Sequence, residues 1–178
     1  MGFVNIESYR DRMMQALAEL GVPADYATQC KLPPQIECED LVSIGLDMFQ
    51  REQRLERATA LQWQSMVAAA IGDEVALAAI SGFRSFDYQK GIIQRKLASG
   101  LQIDEILLVS ALPGFSEHHT GRAIDIGTAG FPALTEEFET TPAFEWLTNN
   151  AAKFGFSMSY PRKNPLGIIY EPWHWCRQ

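Results

Sequence analysis

The chain has 178 residues, of which 47% are hydrophobic, and a formal net charge of −7. That length suits one domain with a sizeable core, and the acidic balance excludes a general nucleic-acid binder, which carries a basic face. No apolar run approaches the roughly 20 residues that span a bilayer, and three cysteines are too few for a disulfide framework.

Residues 1–7 lack a basic region followed by an apolar stretch, so no signal peptide is expected. As written the chain reads as cytoplasmic, or as belonging to the cell envelope if a signal has been removed. Gly2 fits a myristoylation start, but Ile6 stands where Ser or Thr is wanted. Residues 7–20 read as an amphipathic helix, with Tyr9, Met13, Leu17 and Leu20 at helical spacing and Gly21 and Pro23 as its stop. Residues 22–38 read as a loop, in which Cys30 and Cys38 are either a pair or, as the plainer reading, free thiols. Residues 40–54 are ambiguous: Leu41, Ile44 and Met48 fit a helix, but Gly45 weakens it.

A long helix is expected over residues 55–72, then a buried strand from Val75 to Ile80. Helices follow over 86–99 and 103–109. Pro113-Gly114 breaks the chain ahead of an alternating strand over 122–127. Pro142 opens a helix over 143–153, closed near Gly155, and residues 156–160 and 168–171 read as the last strands. Helices first and strands later predict an α+β class. We divide the chain into an N-terminal helical extension, residues 1–54, packed on a domain of residues 55–178.

All three histidines fall in two short segments, Ser116-Glu117-His118-His119-Thr120-Gly121-Arg122-Ala123-Ile124-Asp125 and Glu171-Pro172-Trp173-His174. A turn at Gly121 can feed a strand that returns Asp125 beside His118, with the small Ala123 on the same strand face. His118, Asp125 and His174 then supply three zinc ligands and leave the fourth position open, the arrangement of a catalytic site. Glu171, three residues from His174, suits a general base. Cys176, two residues beyond His174, is placed too far along the strand to join the same site.

These segments resemble the zinc D-alanyl-D-alanine carboxypeptidases of the VanY type (peptidase family M15B, within the LAS metallopeptidase group). The family's Ser-x-His-x-x-Gly-x-Ala-x-Asp pattern is complete at Ser116, His118, Gly121, Ala123 and Asp125. Its Glu-Pro-Trp-His pattern stands at residues 171–174, and its Ser-Gly-Tyr-Arg-Ser stretch appears as Ser81-Gly82-Phe83-Arg84-Ser85, followed by Gln89. The resemblance implies a small antiparallel sheet that carries the zinc site and is flanked by helices, as in hedgehog and D,D-peptidase folds. It implies one zinc ion per chain on His118, Asp125 and His174, with Glu171 as catalytic base. Arg84 would stabilise the oxyanion, and Ser116 and Gln89 would grip the terminal residue of the substrate. It selects His118, not the adjacent His119, as the ligand.

The implied partner is a peptidoglycan stem peptide or muropeptide, with D,D-carboxypeptidase action. The rivals are an L,D-carboxypeptidase, an endolysin-like endopeptidase, and a non-catalytic domain that binds zinc or cell wall. Two departures bear on substrate preference: Ser159 stands where the family has arginine before Tyr-Pro, and the tail reads Trp175-Cys176-Arg177-Gln178.

Overall fold

A computed structural model describes residues 6–23 and 25–178. The readings made on residues 1–5 lie outside the described residues. Helix α1 (Ile6–Glu19) buries Met13, Ala16 and Leu17, and Leu20 just beyond it, along one stripe. The predicted loop that follows contains a single-turn helix α2 (Tyr26–Gln29). The loop is tied under the histidine segment where Gln35 N donates to Gly114 O at 2.7 Å and Cys38 N to His119 O at 2.8 Å. Cys30, Cys38 and Cys176 are free thiols.

Residues 40–54 are extended, not helical. Strands β1 (Leu41–Leu46) and β2 (Glu52–Glu56) form an antiparallel hairpin. The turn won over the helical spacing because Asp47 organises it. Its carboxylate accepts from Phe49 N at 2.8 Å, Arg51 N at 2.9 Å and Gln53 Nε2 at 2.9 Å, which satisfies turn donors that a helix would have used. Helix α3 (Arg57–Gly72) starts after the hairpin, capped by Glu56, which accepts from Thr59 N at 3.1 Å.

Strand β3 (Ala78–Ser81) leads into α4 (Phe86–Ala98), capped by Ser85, and then α5 (Ile103–Val109). Strand β4 (Ala123–Gly127) precedes α6 (Pro142–Asn150), and β5 (Phe156–Met158) and β6 (His174–Arg177) close the chain. The main sheet is antiparallel in the order β3-β4-β6-β5. The last strand is displaced from its expected place. Residues 168–171 make isolated backbone bonds and no ladder: Ile169 N to Leu108 O at 2.9 Å, Glu171 N to Tyr160 O at 3.0 Å, and the local turn from His174 N to Glu171 O at 3.1 Å. Pro172 has no N–H to give a ladder, and pairing begins at His174. The class is α+β, as expected.

Two apolar clusters hold this arrangement. One packs α3 and α6 against Ile124 and Ile126 of β4; the other gathers α1, α4, α5 and Phe115. Alternation along β4 turns Ala123 and Asp125 to the face opposite Ile124 and Ile126, so Asp125 emerges at the seam between the clusters.

The motif glycine at 121 is required twice over. It sits at φ +66°, and a Cβ there would lie 2.7 Å from the backbone nitrogen of Glu56. That nitrogen donates to Gly121 O at 2.9 Å, so the hairpin is fastened to the histidine turn at this point. Gly121→Ala should cost on the order of 2–4 kcal/mol, the left-handed backbone and the overpacking together. Thermal unfolding would measure it, and a melting temperature equal to that of the parent chain would remove Gly121 from this role.

Candidate metal centre and substrate cleft

The site is assembled from three sequence-distant pieces. Asp125 and His174 are direct cross-strand partners on β4 and β6. His118 lies on the 3₁₀ turn Glu117–Thr120 that delivers the chain into β4. Ser81 at the end of β3 pairs with Asp125 from the other side. All three metal-ligand candidates are buried, and one donor atom from each lies within 4.8 Å of the others.

The hydrogen bonds fix which nitrogen faces the centre. His118 Nδ1 lies 2.6 Å from Gly82 O. A carbonyl only accepts, so Nδ1 carries the proton and Nε2 presents a lone pair. That Nε2 is buried, has no hydrogen-bond partner and faces Asp125 Oδ1 at 3.3 Å. A lone pair set against a carboxylate in a buried space is a position made for a cation. His174 turns Nδ1 to the same carboxylate oxygen at 3.1 Å, while its Nε2 reaches Glu117 Oε2 at 2.9 Å.

The electrostatics agree. Burial and the neighbouring Arg84 push His118 down to about 4, so it is a neutral ligand near neutrality. Burial would lower His174 as well, but the carboxylates of Asp125 and Glu117 outweigh it and raise the imidazole to about 10. Burial opposes ionisation of Asp125, yet His118 and Arg84 hold its carboxyl well below the usual range. A cluster that draws a proton this strongly is matched to positive charge. The donor set, two imidazoles and one carboxylate oxygen, fits zinc with a free coordination position.

Glu171 stands beside this centre, with Oε2 3.8 Å from His174 Nδ1. Its burial raises the carboxyl to about 7. Arg84 donates through Nη2 to Asp125 Oδ2 and through Nε to Ser81 Oγ at 2.9 Å. It therefore clamps the metal-ligand carboxylate and lines the cleft above it. Gln89 is buried on α4; its Nε2 donates to Ala111 O at 2.7 Å, which leaves Oε1 without a partner. Ser116 is also buried at the cleft wall. The candidate ligands His118, Asp125 and His174, with Glu171, Arg84, Gln89 and Ser116, thus all border one cleft of about 550 Å³, a size that holds a small ligand.

His119 points away from this centre. Its Nε2 accepts from Gly114 N at 3.0 Å, so Nδ1 donates to Arg84 O at 2.6 Å. It stacks with Phe86 and braces the loop beneath the site. Cys176 stands opposite Ala123, two positions along β6 from His174. Two further residues went unmarked in the sequence. Tyr160 packs its ring 4.7 Å from that of His174, and its signal was its place in the Tyr-Pro stretch after Ser159. Glu117 orients His174 from behind, and its place between Ser116 and His118 was the one available hint. Partners of this kind fix the tautomer and aim of a metal-binding imidazole. Glu117→Gln should weaken zinc affinity roughly 10–100-fold; chelator competition would measure this, and unchanged affinity would count against Glu117.

An α+β domain with a buried His-Asp-His cluster on its sheet and a carboxylate alongside is a constellation suited to metal-assisted hydrolysis. Known proteins agree. Residues 52–177 match the VanY family of D-alanyl-D-alanine carboxypeptidases. The YodJ protein of Bacillus subtilis (strain 168) is 39% identical over 157 residues, which are 82% of this chain and 56% of that protein. A D-alanyl-D-alanine carboxypeptidase of Enterococcus faecium is 36% identical over 134 residues, 73% of this chain and 39% of that protein.

Among solved structures, the LdcB LD-carboxypeptidase superposes with a TM-score of 0.71 at 34% identity, over 82% of this chain and 71% of that one. VanYB bound to D-alanine-D-alanine gives 0.64 at 28%, over 81% of each chain. The vancomycin resistance D,D-pentapeptidase VanY in complex with Zn(II) gives 0.58 at 25%, over 84% of this chain and 80% of that one. The chain belongs to the VanY family, and it spans about half the length of the curated relatives it matches.

Proposed function

We propose that this protein is a zinc carboxypeptidase that removes the terminal D-alanine from peptidoglycan stem peptides. The observation that carries the reading is the unpartnered lone pair of buried His118 Nε2 aimed at Asp125 Oδ1, with Glu171 alongside. His118 Nε2, Asp125 and His174 Nδ1 would hold one zinc ion. When bound, it supplies Lewis acidity to a scissile carbonyl and lowers the pKa of water. Family membership and the zinc-bound VanY neighbour support that choice of metal.

The chain's own groups do the rest. Glu171 takes the proton of the attacking water and passes it to the leaving amine, a task suited to a carboxyl raised toward neutrality. Arg84 holds Asp125 in place and presents guanidinium charge to the developing oxyanion. One such donor is worth on the order of 3–4 kcal/mol. Ser116 and the free Oε1 of Gln89 grip the terminal residue. The division into an extension, residues 1–54, and a domain, residues 55–178, is supported by the start of the family match at residue 52 and by the packing of α1 with α4 and α5.

A second reading, removal of the terminal residue from a tetrapeptide by L,D-carboxypeptidase action, is favoured by the likeness to LdcB. Mass spectrometry of the zinc-loaded protein with muramyl pentapeptide and with tetrapeptide separates the two. Loss of one alanine from the pentapeptide alone is the expected result. Loss from the tetrapeptide alone would establish the second reading. Loss from neither would overturn both and turn attention to cross-linked muropeptides.

A further inference from the structure

A carboxypeptidase must tell a free chain end from an internal peptide bond, and that end carries a negative charge. The cleft lining holds three lysine or arginine side chains, Arg51, Arg84 and Lys96. Arg84 is committed to Asp125. Arg51 is committed to Asp47 at 2.7 Å and to Ile80 O at 3.0 Å. Lys96 is different. Its side chain is half-buried, its Nζ donates to the neutral hydroxyl of Ser110 at 2.6 Å, and no salt bridge among the described residues includes it. Burial is the main penalty on its charge, and the strongest charges it feels are Glu171 and Arg84 across the cleft.

Its placement follows from the helix. Gln89, Ile92 and Lys96 of α4 follow one another at i, i+3 and i+7, so they share one face, and all three line the cleft. Side chains on a helix lean toward its N-terminus, which carries the long Lys96 side chain back toward Gln89. Val109, Leu134 and Ile168 give the same cleft apolar walls. A partly desolvated ammonium among such walls, with a hydroxyl as its one partner, gains most from an anionic ligand. Two turns earlier on the same face is Gln89, whose Oε1 has no partner and can accept from a substrate N–H. A cation and an amide acceptor on one helix face match the carboxylate and the N–H of a single terminal residue.

We infer that Lys96 is the specificity-determining residue that binds the free C-terminal carboxylate of the substrate, and so makes the cleft an exopeptidase site. The inference rests on the carboxypeptidase reading above, and its test separates the two. Matched peptides ending in D-Ala-D-Ala as the acid and as the carboxamide would be given to zinc-loaded wild type, Lys96→Met and Lys96→Arg. Calorimetry on the Glu171→Gln chain, with and without Lys96→Met, would measure binding of the same pair without turnover.

The expected result is a strong preference of wild type for the acid. Lys96→Met should lose about 10–100-fold in kcat/KM on the acid with little change on the amide, and Lys96→Arg should recover most of the loss. Zinc content and melting temperature should stay at the parent values. A Lys96→Met chain that keeps the acid-to-amide ratio, in turnover or in binding, overturns the role of Lys96 and leaves the carboxypeptidase reading intact. Wild type that cleaves acid and amide equally overturns both. Wild type that cleaves neither overturns the carboxypeptidase reading, and the binding ratio still decides Lys96.

Discussion

Glu171→Gln should keep its zinc and lose at least about 10³-fold in kcat, within the range that a positioned acid–base group contributes. The substitution replaces one carboxylate oxygen by an amide of the same size, so packing under Pro172 and Trp173 is undisturbed. It removes basicity and nothing else that the fold needs. The backbone bond from Glu171 N to Tyr160 O at 3.0 Å is indifferent to the side chain. Glu171 is partly buried beside the metal cluster without belonging to it, so zinc retention is expected. Metal analysis together with turnover on a stem pentapeptide would measure both quantities. Turnover within a few-fold of wild type would end its assignment as the base, and loss of zinc would mean that it serves as a ligand.

The adjacent histidines offer the second large effect, and a contrast between them. His118→Ala should weaken zinc binding by more than the roughly 10–100-fold that loss of an outer partner costs, because it removes one of three donors and opens the buried centre to water. His119→Ala should leave the zinc stoichiometry unchanged and destabilise the fold. It strips partners from Gly114 N and Arg84 O, both tied to the ring at 3.0 Å and 2.6 Å. Two orphaned buried groups cost on the order of 3 kcal/mol, or roughly 6–12 °C in melting temperature for a chain of this size. Equilibrium dialysis against zinc and a thermal melt on both variants would test the pair. The opposite pattern, zinc lost from His119→Ala and kept by His118→Ala, would reverse the assignment.

Much of this site was legible before the fold was. His118, Asp125, Glu171 and His174 stand in patterns whose residue types and spacing serve one chemistry, and the cleft brings them together. The helices were legible too, because α1, α3, α4 and α6 are specified by contacts a few residues apart, with a start read directly at Pro142 and stops at Gly21 and Gly155. The hairpin of β1 and β2 was not legible. Its apolar spacing also fits a helix, and the decision lay with Asp47, whose carboxylate gathers the turn. Strand β6 was misplaced by a few residues because a ladder needs a partner, and only β4, far away in sequence, says where pairing begins.

The sequence by itself determined which residues can hold a metal and move a proton, since ligand and base chemistry reside in side-chain identity. Tertiary structure alone decided how they face one another. The Asp125–His174 pairing joins residues 49 apart, and the bond that sets the His118 tautomer reaches Gly82 across 36. The roles of His119 as a brace, Glu117 as an orienting carboxylate and Lys96 as an unpaired cation also arise from such long-range contacts. Local propensity acts over one or two turns of chain, whereas cross-strand register and burial are settled only when the whole core closes.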